Sequence, residues 1–215
     1  MRPMGSLTCL TDPSALLVAD ASAVINLIAT GCAPAIVSAL PNRVVVVDVV
    51  PAEIDTGRRR GRQDSDRLNE LIAAGLVEIV RLGDVAAQHF ETLVVGPAVS
   101  TLDDGEAATI AYAIEQGGIA VLDERKATRL CAESFPGLRL GCTVDILAHP
   151  GVEVSLGRET LATAVFKALY HGRMRVFPHH VEWVVGLIGT DQAAVCVSLP
   201  KSARQPQANV SNIDG

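Results

Sequence analysis

Thr101 to Ala127 reads TLDDGEAATIAYAIEQGGIAVLDERKA. Its first half carries apolar residues at helical spacing from about Asp104 to Gln116, with Gly117 and Gly118 as a C-terminal stop. Its second half, GIAVLD, is a short apolar run that reads as a strand, and ERKATRLCAE behind it is helical again. The oddity is where the acid sits. Asp103, Asp104 and Glu106 crowd the start of the helix, and Asp123 and Glu124 follow the strand. They are either helix caps or a metal site.

The same alternation continues outward. Upstream, LLVAD (Leu16 to Asp20) is a strand ending in an acid, ASAVINLIATG a helix stopped by Gly31, and APAIVSALP a helix closed by Pro41. VVVVDVVP (Val44 to Pro51) is the most β-branched run and predicts a central strand covered on both faces. A helix is expected to open at Pro51 to Ile54 with Glu53 in its first turn, followed by the basic run Arg58, Arg59, Arg60 and Arg62 and by the helix SDRLNELIAAG. LVEIVRL is a third strand, AAQHFETLVV an amphipathic piece, and LRLGCTVDILA carries the last strand. Strands alternating with helices across short loops predict an α/β fold, a three-layer α/β/α sandwich on a parallel sheet. Ligands of such sheets bind at the carboxyl ends of the strands, which is where Asp20, Glu53 and Asp123 fall.

The chain divides into a flexible start over 1–14, the main domain over 15–150, an extension over 151–199 packed on that domain or on a second subunit, and a polar tail over 200–215 expected to be disordered. The extension holds a helix in ETLATAVFKALYHG and a helix or strand in HHVEWVVGLIG. With 49% apolar but only 3% aromatic residues, the core is built from Ala, Val, Leu and Ile, and platforms for carbohydrate or base stacking are disfavoured. A net charge of −6 argues against a dedicated nucleic-acid binder, unless positive charge is local or a cation screens the site. Five cysteines without Cys-x-x-Cys spacing read as small buried thiols in a reducing compartment. No signal peptide or membrane-length apolar run is evident, and cytoplasm is the expected location.

Singly, each acid reads as a cap. Asp20, Asp103 and Asp123 precede helices, and Asp103 with Glu106 has capping-box spacing. Glu53 is less readily explained this way. Four carboxylates on one edge repel by several kcal/mol at moderate dielectric unless a cation sits between them, and oxygen-only donors select Mg²⁺ or Mn²⁺. The Arg58 to Arg62 run is either a solvated loop or a guide for a phosphate backbone. His179 and His180 read as surface residues, and Trp183 as a packing anchor.

In order and spacing, DASAVINL, VVPAEI, LDDGEAATIAYAIEQGG and AVLDERKA resemble the four acidic motifs of PIN-domain nucleases, the fold of VapC-type toxins, over about Leu16 to Ala148. The resemblance places the family's four acids on Asp20, Glu53, Glu106 and Asp123, with the hydroxyl of Ser22 beside the first. Asp104 can share the third role, and Glu124 replaces Asp123 if the register shifts by one. Asn26 and Thr143 match recurring polar positions, for which a structural role is an equal reading. The resemblance implies hydrolysis of a phosphodiester with Mg²⁺ or Mn²⁺ held by Asp20, Glu106 and Asp123, an RNA substrate, a cognate antitoxin and a homodimer. Two rivals stand beside it. One is an idle PIN-like binding module whose acids are caps. The other is a phosphoryl-transfer enzyme of receiver or dehalogenase type, for which DASAV lacks a second acid.

Overall fold

The computed structural model describes residues 8–58, 63–95, 97 and 101–205, with the side chain of Arg58 outside that set. The expected basic guide of Arg58, Arg59, Arg60 and Arg62 thus lies outside the described side chains, as do residues 206–215 of the tail. Five strands, β1 (Leu17–Ala19), β2 (Val44–Val47), β3 (Val77–Val80), β4 (Ile119–Val121) and β5 (Arg139–Gly141), form one sheet. Their order is β3-β2-β1-β4-β5 and every pairing is parallel.

The helices of the main body are α1 (Ala21–Ala29), α2 (Ala33–Ser38), α3 (Val49–Arg58), α4 (Asp64–Ala73), α5 (Asp84–Val94), α6 (Asp104–Gln116), α7 (Arg125–Ser134) and α8 (Thr143–Leu147). Beyond them lie α9 (Pro150–Leu156), α10 (Arg158–Lys167), α11 (Val181–Ile188) and α12 (Thr190–Val195). Among the described residues no helix is long and apolar enough to cross a membrane.

Successive strand residues face opposite sides, so each central strand feeds two cores. Leu17, Ala19, Val44, Val46, Ile119 and Val121 pack with α1, α2 and α8 and with Leu161, Val165, Leu169, Val184 and Leu199 from beyond residue 150. Val18, Val45, Val47, Ala120 and Leu122 pack with α5, α6 and α7. This is the three-layer α/β/α architecture, and α6 shows why the aromatic content is so low. Ala107, Ala108, Ala111 and Ala113 have no exposed surface, because small side chains let the helix lie close against the sheet.

Several expectations are corrected. α3 begins at Val49, two residues before Pro51, because a proline in the first helical turn gives up only an N–H that has no partner there. The HHVEWVVGLIG segment is helical, and α9 was not foreseen, since PGVEVSL is too short to show a period. Lys201–Arg204 form a 3-10 turn inside the segment expected to be disordered. Cys9 is exposed and Cys32 half-buried, so only Cys131, Cys142 and Cys196 are the expected buried thiols. His180 is 1% exposed rather than on the surface, drawn inward to within 3.4 Å of the Asp145 carboxylate. Trp183 is partly buried against the core, as a packing anchor would be.

Candidate active site

The chain leaves β1 and β4 toward opposite edges of the sheet, since β2 flanks β1 on one side and β5 flanks β4 on the other. A crevice opens where such paired strands end. Asp20 directly follows β1 and Asp123 lies just past β4, so parallel register brings two acids 103 positions apart in the chain to one edge.

Asp20 is 2% exposed. It caps α1, accepting from the Ala23 N–H at 2.7 Å and from the Ser22 hydroxyl at 2.8 and 3.0 Å. Burial holds its carboxyl well above the usual carboxylate range, and the neighbouring Asp123 and Glu106 charges push the same way. The cap reading is therefore correct for Asp20 as far as it goes. It does not explain why the cap is desolvated beside two more acids.

Asp123, also 2% exposed, takes three donors: Asn26 Nδ2 at 2.6 Å, the Thr143 N–H at 2.9 Å and Thr143 Oγ1 at 2.5 Å. These bonds favour its charged form, but burial outweighs them and raises its pKa. Asn26 and Thr143 thus hold the Asp123 carboxylate in place. Glu124 occupies the N-cap position of α7 without a capping bond and pairs with Arg175 at 3.2 Å on the rim.

At the start of α6, Asp103 accepts the Glu106 N–H at 2.8 Å, one arm of a capping box. The Glu106 carboxyl is buried, and its pKa is raised to about 7 by burial, then by Asp103, Glu124 and Glu53, against the lowering effect of the Asp103 backbone. Glu53, an exposed residue of α3, approaches it from the rim. Its pKa is raised by desolvation of the carboxyl, then by Asp103 and Asp104. The Glu53 carboxylate fills the space a side chain at Gly105 would need. Asp104 is an exposed residue of the first turn.

The opposite wall comes from beyond residue 150. The π-helical turn Ala168–Gly172 packs on α1 so closely that a Cβ at Gly172 would lie 2.7 Å from Asn26 Oδ1. Arg173 follows in the left-handed region at φ 57°, unusual for a residue with a Cβ. Arg173 and Arg175 line a cleft of about 230 Å³ together with Ser22, Asn26, Asp123 and Glu124. Both arginines, joined by Arg125, continue into an adjoining cavity of about 340 Å³. These three cations were not singled out in the sequence, where the only hint is the alternating Arg of GRMR.

Among the described residues, neither Lys nor Arg forms an ion pair with Asp20, Glu53, Glu106 or Asp123. Asp20 feels the charges of Asp123 and Glu106, and Glu106 that of Glu53, but among the described residues no three of these carboxylates have oxygens all within 4.8 Å of one another. Desolvated oxygen donors with no cationic side chain on them suit a hard divalent cation that keeps several waters.

The sequence model of the PIN domain matches residues 16–188, four-fifths of the chain. The chain belongs to the PIN-domain family. PIN domains are generally metal-dependent nucleases that use divalent ions and act on nucleic acids. No curated protein and no solved structure matches this PIN protein. The match runs past Ala148, so α9, α10, the Arg173 turn and α11 fall within the family's span rather than outside it.

Proposed function

We propose that this PIN protein is a Mg²⁺- or Mn²⁺-dependent endoribonuclease acting as the toxin of a toxin-antitoxin pair. The observation that carries the catalytic part is the acid edge itself: Asp20, Glu106 and Asp123 are buried and, among the described residues, without Lys or Arg partners, and Asp123 lines a cleft walled by Arg173 and Arg175. Asp20, Glu106 and Asp123 would hold the cation, with Glu53 directly or through water. When bound, the cation supplies Lewis-acid stabilisation of the scissile phosphate and lowers the pKa of the attacking water.

The chain's own groups prepare the rest. The Ala23 N–H and the Ser22 hydroxyl orient Asp20, and Asn26 and Thr143 orient Asp123, so neither carboxylate must reorganise as charge develops. Arg173 and Arg175 offer positive charge to the phosphate backbone in a protein that is acidic overall. Water adds to phosphorus as the P–O bond to the leaving oxygen breaks, and no side-chain nucleophile is needed. The VapC-like order of the motifs supports RNA as substrate and an antitoxin as partner. Exposed apolar residues beyond residue 150, Val154, Tyr170, Val195 and Val197, support a protein partner and a homodimer there.

The test is cleavage of labelled single-stranded RNA and DNA by the wild type and Asp20→Asn, with Mg²⁺ or Mn²⁺ and with chelator. Metal-dependent cleavage of RNA in preference to DNA, reduced by orders of magnitude in the variant, is expected. Failure to cut either nucleic acid with either metal leaves the idle binding module as the answer.

A further inference from the structure

Cys142 and Asp145, which flank Thr143 in the chain, belong to a second constellation. Cys142, Asp145 and His180 are 2%, 5% and 1% exposed, and a sulfur, a carboxylate oxygen and a ring nitrogen from them lie within 4.8 Å of one another. Cys142 Sγ is 3.1 Å from Asp145 Oδ2, and His180 Nε2 is 3.4 Å from Asp145 Oδ1. Nδ1 of this buried imidazole has no hydrogen-bond partner, and Nε2 has only the long contact with Asp145. A buried polar ring in that condition demands an explanation.

We propose that Cys142, Asp145 and His180 form a structural site for a thiophilic divalent cation of the zinc type, separate from the carboxylate crevice. One thiol, one imidazole and one carboxylate are a donor set zinc takes and magnesium does not. Zinc bonds of ~2.0 to 2.3 Å in a tetrahedron space the donor atoms roughly 3 to 4 Å apart, the range of the two measured separations. Charge closes as well. Binding breaks the Cys142 S–H bond, releases that proton to solvent and forms the sulfur–metal bond without an oxidant. The thiolate and the Asp145 carboxylate then cancel the 2+ charge, and neutral His180 adds none.

Asp145 is already oriented for this role by the Cys9 N–H on Oδ1 and the Cys142 N–H on Oδ2. A cavity of about 160 Å³ lined by Cys9, Cys142, Asp145 and His179 adjoins two of the three donors and would supply water as the fourth ligand. The site would clamp α8 to the turn Pro178–His180. It would thereby fix Thr143, whose N–H and hydroxyl hold Asp123.

The test strips the full-length protein with chelator and reloads it with Zn²⁺ or Co²⁺. One equivalent of zinc should survive gel filtration, and cobalt should give a thiolate-to-metal charge-transfer band that Zn²⁺ displaces and excess Mg²⁺ does not. Cys142→Ser should abolish the band, and His180→Gln should weaken zinc retention at least ~10-fold. Asp20→Asn should leave both signals intact, which separates this site from the nuclease reading. A wild type with no cobalt–thiolate band and no more zinc than Cys142→Ser overturns the proposal and leaves Asp145 and His180 as a simple ion pair. If Cys142→Ser does not fold, the wild-type band and its displacement by zinc decide the question alone.

Discussion

Asn26 and Asp123, 97 positions apart, are joined by a 2.6 Å hydrogen bond from the Asn26 amide to Asp123 Oδ2. The bond ties α1 to the end of β4, and Gly172 packs against the oxygen of the same amide. Asn26→Ala removes one of three donors to a buried carboxylate. A loss of about 1 to 3 kcal/mol by urea denaturation is expected, together with a 10- to 100-fold fall in cleavage, because the carboxylate is no longer aimed. Loss of stability with unchanged cleavage would make Asn26 purely structural.

Gly105→Ala tests the contact between α6 and Glu53. The group in the way is the end of a flexible side chain, which can swing aside, so the melting temperature should stay within a few degrees. The displaced carboxylate cannot stay in the crevice. Cleavage should fall by ~10-fold or more. If Gly105→Ala retains full rate, Glu53 has no part in the reaction.

The residues that were legible in the sequence are those whose role is local. The Gly117 stop, with φ 61°, and the short strand after it could be read because helix ends and strand ends leave local signatures. Asp20 and Asp103 could be read as caps for the same reason, and the order of acids at strand ends suggested one edge. What could not be read depends on non-local packing. Arg173 and Arg175 reach the cleft only because the π-helical turn lies on α1, and His180 is buried only because it meets Asp145 from another segment. A lone histidine pair beside a proline carries no sign of that encounter.

Stability should depend on pH in a definite direction. In the metal-free protein Glu106 keeps its proton up to about pH 7 in the fold, whereas an unfolded glutamate loses it near 4.5. The native state therefore binds more protons between these values, and stability falls as pH rises from about 4.5 to about 7, on the order of a few kcal/mol. Asp20, Glu53 and Asp123 are shifted in the same direction and deepen the fall. Excess Mg²⁺ or Mn²⁺ should offset it by binding only the folded state. Melting curves from pH 4.5 to 8, with chelator and with metal, measure both effects. A flat profile, or one that rises with pH, is incompatible with uncompensated buried acids.

Replacing Arg173 and Arg175 together by Gln should weaken RNA binding similarly for unrelated sequences and lower the dependence of log Kd on log salt by roughly one to two. Filter binding in chelator at two or more salt concentrations separates this from any effect on the chemical step. An unchanged salt slope would place the backbone elsewhere on the surface.

Asp123 and Glu124 are adjacent in sequence and opposite in environment. Glu124 is held on the rim by a half-exposed ion pair with Arg175, an interaction worth at most ~1 kcal/mol. Glu124→Gln should therefore keep stability within that margin and cleavage within a few-fold. Asp123→Asn keeps the shape but changes the donors it can satisfy. Its single amide oxygen can still accept the Thr143 N–H, while its NH₂ group faces Asn26 Nδ2 and Thr143 Oγ1. The Thr143 hydroxyl can rotate to accept and the Asn26 amide can flip, and removal of a desolvated charge offsets what is lost. The net change in stability should be ~1 to 2 kcal/mol of either sign. Metal-dependent cleavage should nevertheless fall by orders of magnitude, because the charged oxygen aimed at the crevice is gone. Urea denaturation beside a cleavage assay reads both quantities, and a Glu124→Gln defect larger than that of Asp123→Asn would move the fourth ligand out to the rim.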